Sequence, residues 1–314
     1  VPSDPDAIST ASIIRARLDI SRVPWVKPLA AAYERDFGSV AAFFAGNPRE
    51  PGAWAQTIRR VTGAGHDRAR LAALLDAQLA MRAAPPEARA SAARLAAPAT
   101  VAILTGQQAG LFGGPLYTLL KAITTLQLAH RIAEAHRVTV VPIFWVASED
   151  HDWAEVRSTT VIDDQMAVRE VCAPEPAGAG LQAVGSFTFD DRILQTLEDL
   201  EARLPRTAWT AGLLADLGRH YRPGSNLGTA MAGWLDDLVG RHGLVVFDGA
   251  DPAAKPLVAD LFVQELGSPE RTAHEVRTQG DVLQGQGHRP QVVPTEHATA
   301  LFYLDDAGRH PIRY

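Results

Sequence analysis

At 314 residues, with 46% hydrophobic and 21% charged positions, the chain can bury the core of one large α/β domain or two smaller ones, and it lies far from disordered compositions. A formal net charge of -6, with no stretch interleaving Lys or Arg with aromatics, argues against nucleic acid as a partner. A single cysteine excludes an intrachain disulfide framework and a CxxC zinc site and fits a reducing cytosol.

In chain order, residues 1–6 lack the basic and apolar regions of a signal peptide. No apolar run approaches the ~20 residues of a membrane helix, so a cytoplasmic, membrane-free protein is expected. The sequence begins without Met and stops at Tyr314 in a strand-like run, as a fragment would. Up to about Ala97 the apolar residues recur at helical spacing, as in Leu29, Tyr33, Phe37, Val40, Phe43 and Phe44, predicting a helical amino-terminal region over 1–98. The Ala- and Arg-rich stretch from Asp67 to Arg94 has strong helix formers and an apolar face of Leu71, Leu74, Leu75 and Leu79. From Thr100 to Leu104 the pattern becomes a strand, followed by a glycine-rich loop and a long helix opened by Pro115 and running to about Glu134. The continuous apolar run Val138 to Ala147 predicts a parallel strand covered on both faces, completing a βαβ unit within 99–166. Between Val168 and Phe189, two β-like runs flank a Pro/Gly/Ala turn at Pro174 to Gly180, and Cys172 there reads as a small buried hydrophobe rather than a nucleophile. Helical patterns from Asp190 to about Gly240 complete an insertion over 167–240. The sheet resumes at Leu244 to Phe247, a helix is expected from Pro252 to Leu266, and Leu301 to Leu304 with His310 to Tyr314 flank a hairpin turn, all within 241–314. The fold class is therefore α/β, with a parallel-sheet core.

The loop between the first strand and its helix holds Gly106, Gln107, Gln108, Gly110, Gly113 and Gly114. Glycines free the backbone to turn sharply or approach a ligand, and a helix start favours an anion through unpaired amides and the macrodipole. The spacing is neither GxGxxG nor GxxxxGK[ST], so glycine alone is a weak signal. Steps of three or four residues from Gly114 reach Tyr117, Thr118 and Lys121, which could set a phenol, a hydroxyl and an ammonium on one helix face beside the loop. The competing structural reading is a tight turn packing helix on sheet, with Lys121 merely solvated.

Beyond the second strand the chain turns polar at Ser148, Glu149, Asp150, His151 and Asp152. Ligands of open α/β sheets bind beyond the carboxyl ends of the strands, so this cluster is expected to face the same crevice as the loop. If the segment stays extended, Asp150 and Asp152 share one side and Glu149 and His151 the other. Carboxylates beside His151 could tune a proton-transfer group. Metal is the lesser reading, because adjacent residues rarely converge on one ion, and no metal site is expected. A solvated acidic loop or helix cap is the structural alternative. Asp248, at the end of another strand, is a weaker candidate, with a strand-terminating turn residue as the competing reading.

The run from Gly106-Gln107-Gln108 to Lys121, followed by Val141-Pro142 to Asp152, resembles the paired signature blocks of the BshC family. Pro28 to Phe44, Gly243 to Lys255 and Gly287-His288-Arg289-Pro290-Gln291-Val292 add to the likeness, which covers nearly the whole chain. The resemblance implies a Rossmann-like core with a connecting-peptide insertion, and a carboxy-terminal coiled coil, beyond this sequence, that pairs protomers as a homodimer. It further implies ligation of L-cysteine, through its carboxyl group, to the amine of glucosaminyl-malate, giving the low-molecular-weight thiol bacillithiol. An activated acyl group is required, and ATP is the usual source. HIGH and KMSKS-type motifs are absent, so adenylate chemistry rests on analogy of fold. On this resemblance the loop amides, Thr118 and Lys121 would hold an anionic substrate or phosphate, and Asp150, His151 or Asp152 would deprotonate the amine. Two alternatives stay open: another nucleotide-dependent ligase or nucleotidyltransferase on a similar core, and a non-catalytic nucleotide-binding module.

Overall fold

The computed structural model describes residues 19–65, 67–305 and 307–314; residues 1–6, read above for targeting signals, and Asp306 of the hairpin turn lie outside them. The chain divides into two compact units, Val1–Thr57 with Arg277–Val293, and Ile58–Val276 with Pro294–Tyr314.

In the first unit, α1 (Pro28–Arg35) begins with Pro28 just inside its start, where the missing N–H is not needed. It is followed by the single turn α2 (Phe37–Val40) and the first part of α3 (Pro51–Thr62). The helical spacing brings Tyr33, Phe37 and Phe44 into one aromatic group, with ring centroids 4.6 Å apart for Tyr33 and Phe44 and 5.6 Å for Tyr33 and Phe37.

The second unit opens with α4 (Arg68–Met81), capped by the Asp67 carboxylate on the Arg70 amide, and α5 (Pro86–Ala93). Next come β1 (Val101–Gln108), α6 (Tyr117–His136) and β2 (Val140–Ala147). The short α7 (Trp153–Val156) leads to β3 (Ser158–Ile162) and β4 (Val168–Cys172), an antiparallel pair. Three helices follow, α8 (Arg192–Arg203), α9 (Thr210–His220) and α10 (Leu227–Val239), then β5 (Val245–Asp248). Last come α11 (Ala259–Gly267), α12 (Pro269–Gly285), whose second part belongs to the first unit, and the hairpin of β6 (Ala298–Asp305) and β7 (Gly308–Arg313).

The central sheet is parallel, in the order β1-β2-β5. Side chains alternate across it, and each face has its own core. Phe144, Val146 and Val246 pack with Ala122 of α6 and Met231 and Leu235 of α10. Val141, Ile143, Val245 and Phe247 pack with Leu75 and Leu79 of α4 and Ala88 and Ala92 of α5. Coverage on both sides is why β2 reads as unbroken apolar sequence. Each fully buried leucine here is worth about 1.5–3 kcal/mol relative to exposure, so Leu79→Ala would cost about 2–5 kcal/mol once the cavity is counted.

Several expectations are corrected. Strand β1 does not stop at Leu104 but continues through Gly106, whose missing Cβ lets it pass the Trp145 carbonyl; a Cβ would lie 2.8 Å from that oxygen. Pro115 does not open the helix, which starts two residues later at Tyr117, because the chain is still turning through left-handed conformations at Phe112, Gly113 and Gly114. Of the two β-like runs between Val168 and Phe189, only the first becomes a strand; the second forms a 3-10 turn, Val184–Ser186, and one bridge from Thr188 to Asn226. Cys172 is exposed, since alternation along β4 turns Val171 inward and its neighbour out. The single helix expected over Pro252 to Leu266 is divided, with Pro256 inside a 3-10 segment, Pro252–Val258, where it removes a donor, before α11 begins. Among the described residues, no helix is long and apolar enough to cross a membrane.

Candidate active site at the carboxyl ends of the strands

Register sets the site. Gln108 pairs with Ala147, and Val146 with Asp248, so the ends of β1, β2 and β5 come level and their following residues meet at one edge of the sheet. Ser148 is fully buried there, donating its hydroxyl hydrogen to the Asp248 carboxylate and accepting from the Ala250 amide at 3.0 Å. Gly228 must be bare to admit it, since a Cβ there would lie 2.7 Å from that of Ser148. Gln78, buried on α4, accepts from the Asp248 amide at 2.9 Å and donates to the Asp251 carboxylate at 2.7 Å. Ser148 and Asp248 thus brace the ends of β2 and β5 against each other.

The expected extended alternation is absent, because Ser148 and Glu149 form a turn. Glu149 is directed back along β2, where its Oε1 accepts from the Trp145 indole at 3.0 Å while its Oε2 is buried with no donor among the described residues. Asp150 points the other way and accepts from Gln108 Nε2 at 2.6 Å and from the His151 amide at 2.7 Å. Burial pushes its carboxyl pKa up, but the hydrogen bonds from Gln108, the His151 amide and the His151 ring outweigh that and hold it below the ordinary carboxylate value. Asp152 caps α7, accepting from the Glu155 amide at 3.1 Å.

His151 Nδ1 lies 3.1 Å from Asp150 Oδ1 and 3.0 Å from Arg309 Nη1. One nitrogen cannot serve both at once: either Nδ1–H donates to the carboxylate, or a bare Nδ1 accepts from the guanidinium. Arg309 is fixed by stacking on Phe302, 3.6 Å from the ring centroid, and by its amide on the Leu181 carbonyl at 2.9 Å.

The glycine loop is braced rather than open. The Gly110 amide donates to the Gln108 carbonyl, that of Gly114 to the Leu111 carbonyl and that of Thr118 to the Pro115 carbonyl. The Gly113 amide donates to the Tyr221 hydroxyl at 2.8 Å, which donates in turn to the Gly110 carbonyl at 3.1 Å. Tyr221 is fully buried, and that burial pushes its phenol pKa up. At Gly113, where φ is +88°, a Cβ would fall 2.3 Å from the Trp234 ring. The unpaired amides expected for an anion are therefore spent within the fold at these four positions.

Of the proposed helix face, Tyr117 and Lys121 do come together. The Lys121 ammonium donates to Gln107 Oε1 at 2.8 Å and to the Gly106 carbonyl at 3.2 Å, and it stands 5.2 Å from the Tyr117 ring centroid. Thr118 does not share that face; it is buried, and its hydroxyl has no partner among the described residues.

Residues 16–314 match the family described as "Bacillithiol biosynthesis BshC, N-terminal Rossmann-like domain". The chain belongs to the BshC family. Among BshC proteins it is 32% identical to that of Salinibacter ruber over 280 residues, 89% of this chain and 51% of the relative. Those of Heliobacterium modesticaldum and Symbiobacterium thermophilum are 31% and 30% identical, over 90% and 94% of this chain and 53% and 56% of theirs. The chain thus spans about half the length of these curated relatives, whose names mark them as candidate cysteine ligases. In this BshC chain, sequence reasoning overlooked Gln78, Tyr221, Trp234 and Arg309, each of which reaches the strand ends or the loop from a distant segment. Only Arg309 had a local signal: it follows the Gly of the hairpin turn, which fixes its position beside Leu181.

Proposed function

We propose that the protein is a carbon–nitrogen ligase of bacillithiol formation, joining the carboxyl group of L-cysteine to the amine of glucosaminyl-malate. Family membership and the names of the relatives support the reading. The observation that carries it is the pairing of Asp150 with His151 at the carboxyl ends of β1 and β2, held by Gln108. An amino sugar is an ammonium in neutral water and attacks only after losing a proton. An ionised Asp150 that takes the Nδ1–H of His151 leaves Nε2 with its lone pair outward, the arrangement of an oriented general base. The freed amine then forms the C–N bond at the acyl carbon, the bond to the leaving group breaks, and the ammonium proton resides on His151.

An activated cysteine carboxyl is part of this reading, with ATP as its ordinary source. The amides of Gly110, Gly113 and Gly114 do not fit a phosphate cradle as they stand, because each is already donating. Lys121 stands beside the loop, donating to Gln107 and to the Gly106 carbonyl.

The test is the complete gene product with L-cysteine, glucosaminyl-malate and ATP, followed by mass detection of the amide. Asp150→Asn and His151→Gln should lower turnover by about two to four decades with thermal unfolding unchanged. Asp152→Asn should retain activity, since Asn caps helices as well as Asp does. Absence of the amide with the parent protein, or parent-like rates in both variants, would overturn the proposal.

A further inference from the structure

A cleft of about 370 Å³ lies beside the Asp150 and His151 pair, bounded by the start of the β5-to-α11 segment, α11 and the β6–β7 hairpin. It is the size of a small metabolite rather than of a large cofactor. Its polar lining is Glu149, Lys255, Tyr303 and Arg309, and its walls include Phe262 and Leu266. Three features separate its charges by sign. Glu149 has one carboxylate oxygen on the Trp145 indole and a second with no donor among the described residues, a costly arrangement until a cation or donor arrives. Gly249 is bare beside it; any Cβ there would lie 2.0 Å from Oε2, so the strand end is shaped around this carboxylate. Opposite in charge, Lys255 has no hydrogen-bond or ion-pair partner among the described residues, and Arg309 is held rigidly by Phe302 with its head group at His151.

We infer that this cleft is a subsite for an α-amino acid zwitterion, its ammonium on Glu149, its carboxylate on Arg309 and Lys255, and a short, weakly polar side chain against the apolar wall. Taking that amino acid to be the cysteine of the ligation rests on the function proposed above. The arrangement sets the carboxyl carbon next to Arg309, whose guanidinium is 3.0 Å from His151, and so brings the acyl group to the base. A thiol suits the wall because it behaves as a small hydrophobe.

Isothermal titration of the complete gene product with three probes tests this: L-cysteine, cysteamine, which lacks the carboxylate, and 3-mercaptopropionate, which lacks the ammonium. L-cysteine should bind, and each analogue should bind about tenfold more weakly or worse, the loss of one charge-assisted hydrogen bond. Arg309→Gln and Lys255→Gln should each weaken L-cysteine about tenfold while leaving cysteamine unchanged. Glu149→Gln should weaken L-cysteine and leave 3-mercaptopropionate unchanged. That crossed pattern is not produced by misfolding, which would affect all three probes alike. Parent-like cysteine binding in the Arg309 and Lys255 variants, or equal losses for cysteine and cysteamine, would overturn the inference. The two readings fail separately. Amide formation with binding indifferent to these variants removes the subsite and leaves the ligase, whereas the crossed pattern without amide removes the ligase and leaves the subsite.

Discussion

Gly113→Ala is the most informative single change in the glycine loop, because two separate costs can be read from its surroundings. Its φ of +88° lies in the left-handed region, where an L side chain costs about 1–2 kcal/mol. The new methyl would also meet Trp234 Cζ3 at 2.3 Å, and overpacking of a filled core costs about 1–3 kcal/mol. The sum is about 2–5 kcal/mol, or a fall in Tm of roughly 4–20 °C at about 2–4 °C per kcal/mol for a protein of this size class. Gly114→Ala is the control. Its φ is +68°, but the nearest atom to an added Cβ is 3.5 Å away, so it bears only the conformational strain, about 1–3 kcal/mol. Circular dichroism melts of both variants beside the parent decide the matter. A Gly113→Ala protein melting within about 1 °C of the parent would refute the packing of Trp234 on the loop. Lost ligand binding in a Gly113 variant therefore reports the fold before it reports the site.

Tyr221→Phe removes the hydroxyl that accepts from the Gly113 amide and donates to the Gly110 carbonyl, leaving that amide its longer bond to the Gly110 carbonyl at 3.2 Å; a loss of about 0.5–1.5 kcal/mol is expected, with faster hydrogen exchange at the Gly113 amide as the local check. Asp236 gives a pH signature. Burial raises its carboxyl to about 6 even though Arg82 is 2.7 Å away, so the folded value lies above the unfolded one. Its contribution to stability is then fully present below about pH 4 and lost as pH rises through about 6. The Tm of the parent relative to Asp236→Asn should therefore climb as pH falls from 7 to 4, and parallel profiles would contradict it.

How far the site was legible follows from how local each feature is. The apolar run of β2 and the polar residues after it were readable because a strand buried on both faces leaves an unmistakable pattern and ends abruptly. The helix face of α6 was readable in part: Tyr117 and Lys121 are four apart and meet through Gln107, while Thr118, one position on, rotates into the core. What misled was the state of the loop amides. Glycine-rich sequence looks the same whether its N–H groups face a ligand or a phenol arriving from 108 residues away. Likewise, Ser148 and Asp248 were placed correctly at strand ends, yet burial makes them a brace, and only the packing of Gly228 shows it. Cys172 was misjudged because alternation along β4 sends Val171 into the core and Cys172 outward.

The brace between Ser148 and Asp248 also has a bearing on how the chain acquires its shape. Its two halves are 100 residues apart, and β2 and β5 cannot pair until the intervening β3–β4 pair and three helices have been accommodated. Closing so long a loop is an entropic cost met before its contacts reward it, and parallel pairings of this kind form slowly. On the ribosome, the βαβ unit of β1, α6 and β2 emerges complete while the turn at Ser148 still lacks its partner, so the acidic end of β2 takes its working geometry only after Asp248 has been synthesised and docked. Closure of the sheet is thus a precondition for the candidate site, and Arg309, which reaches His151 from the hairpin, is added only later in synthesis.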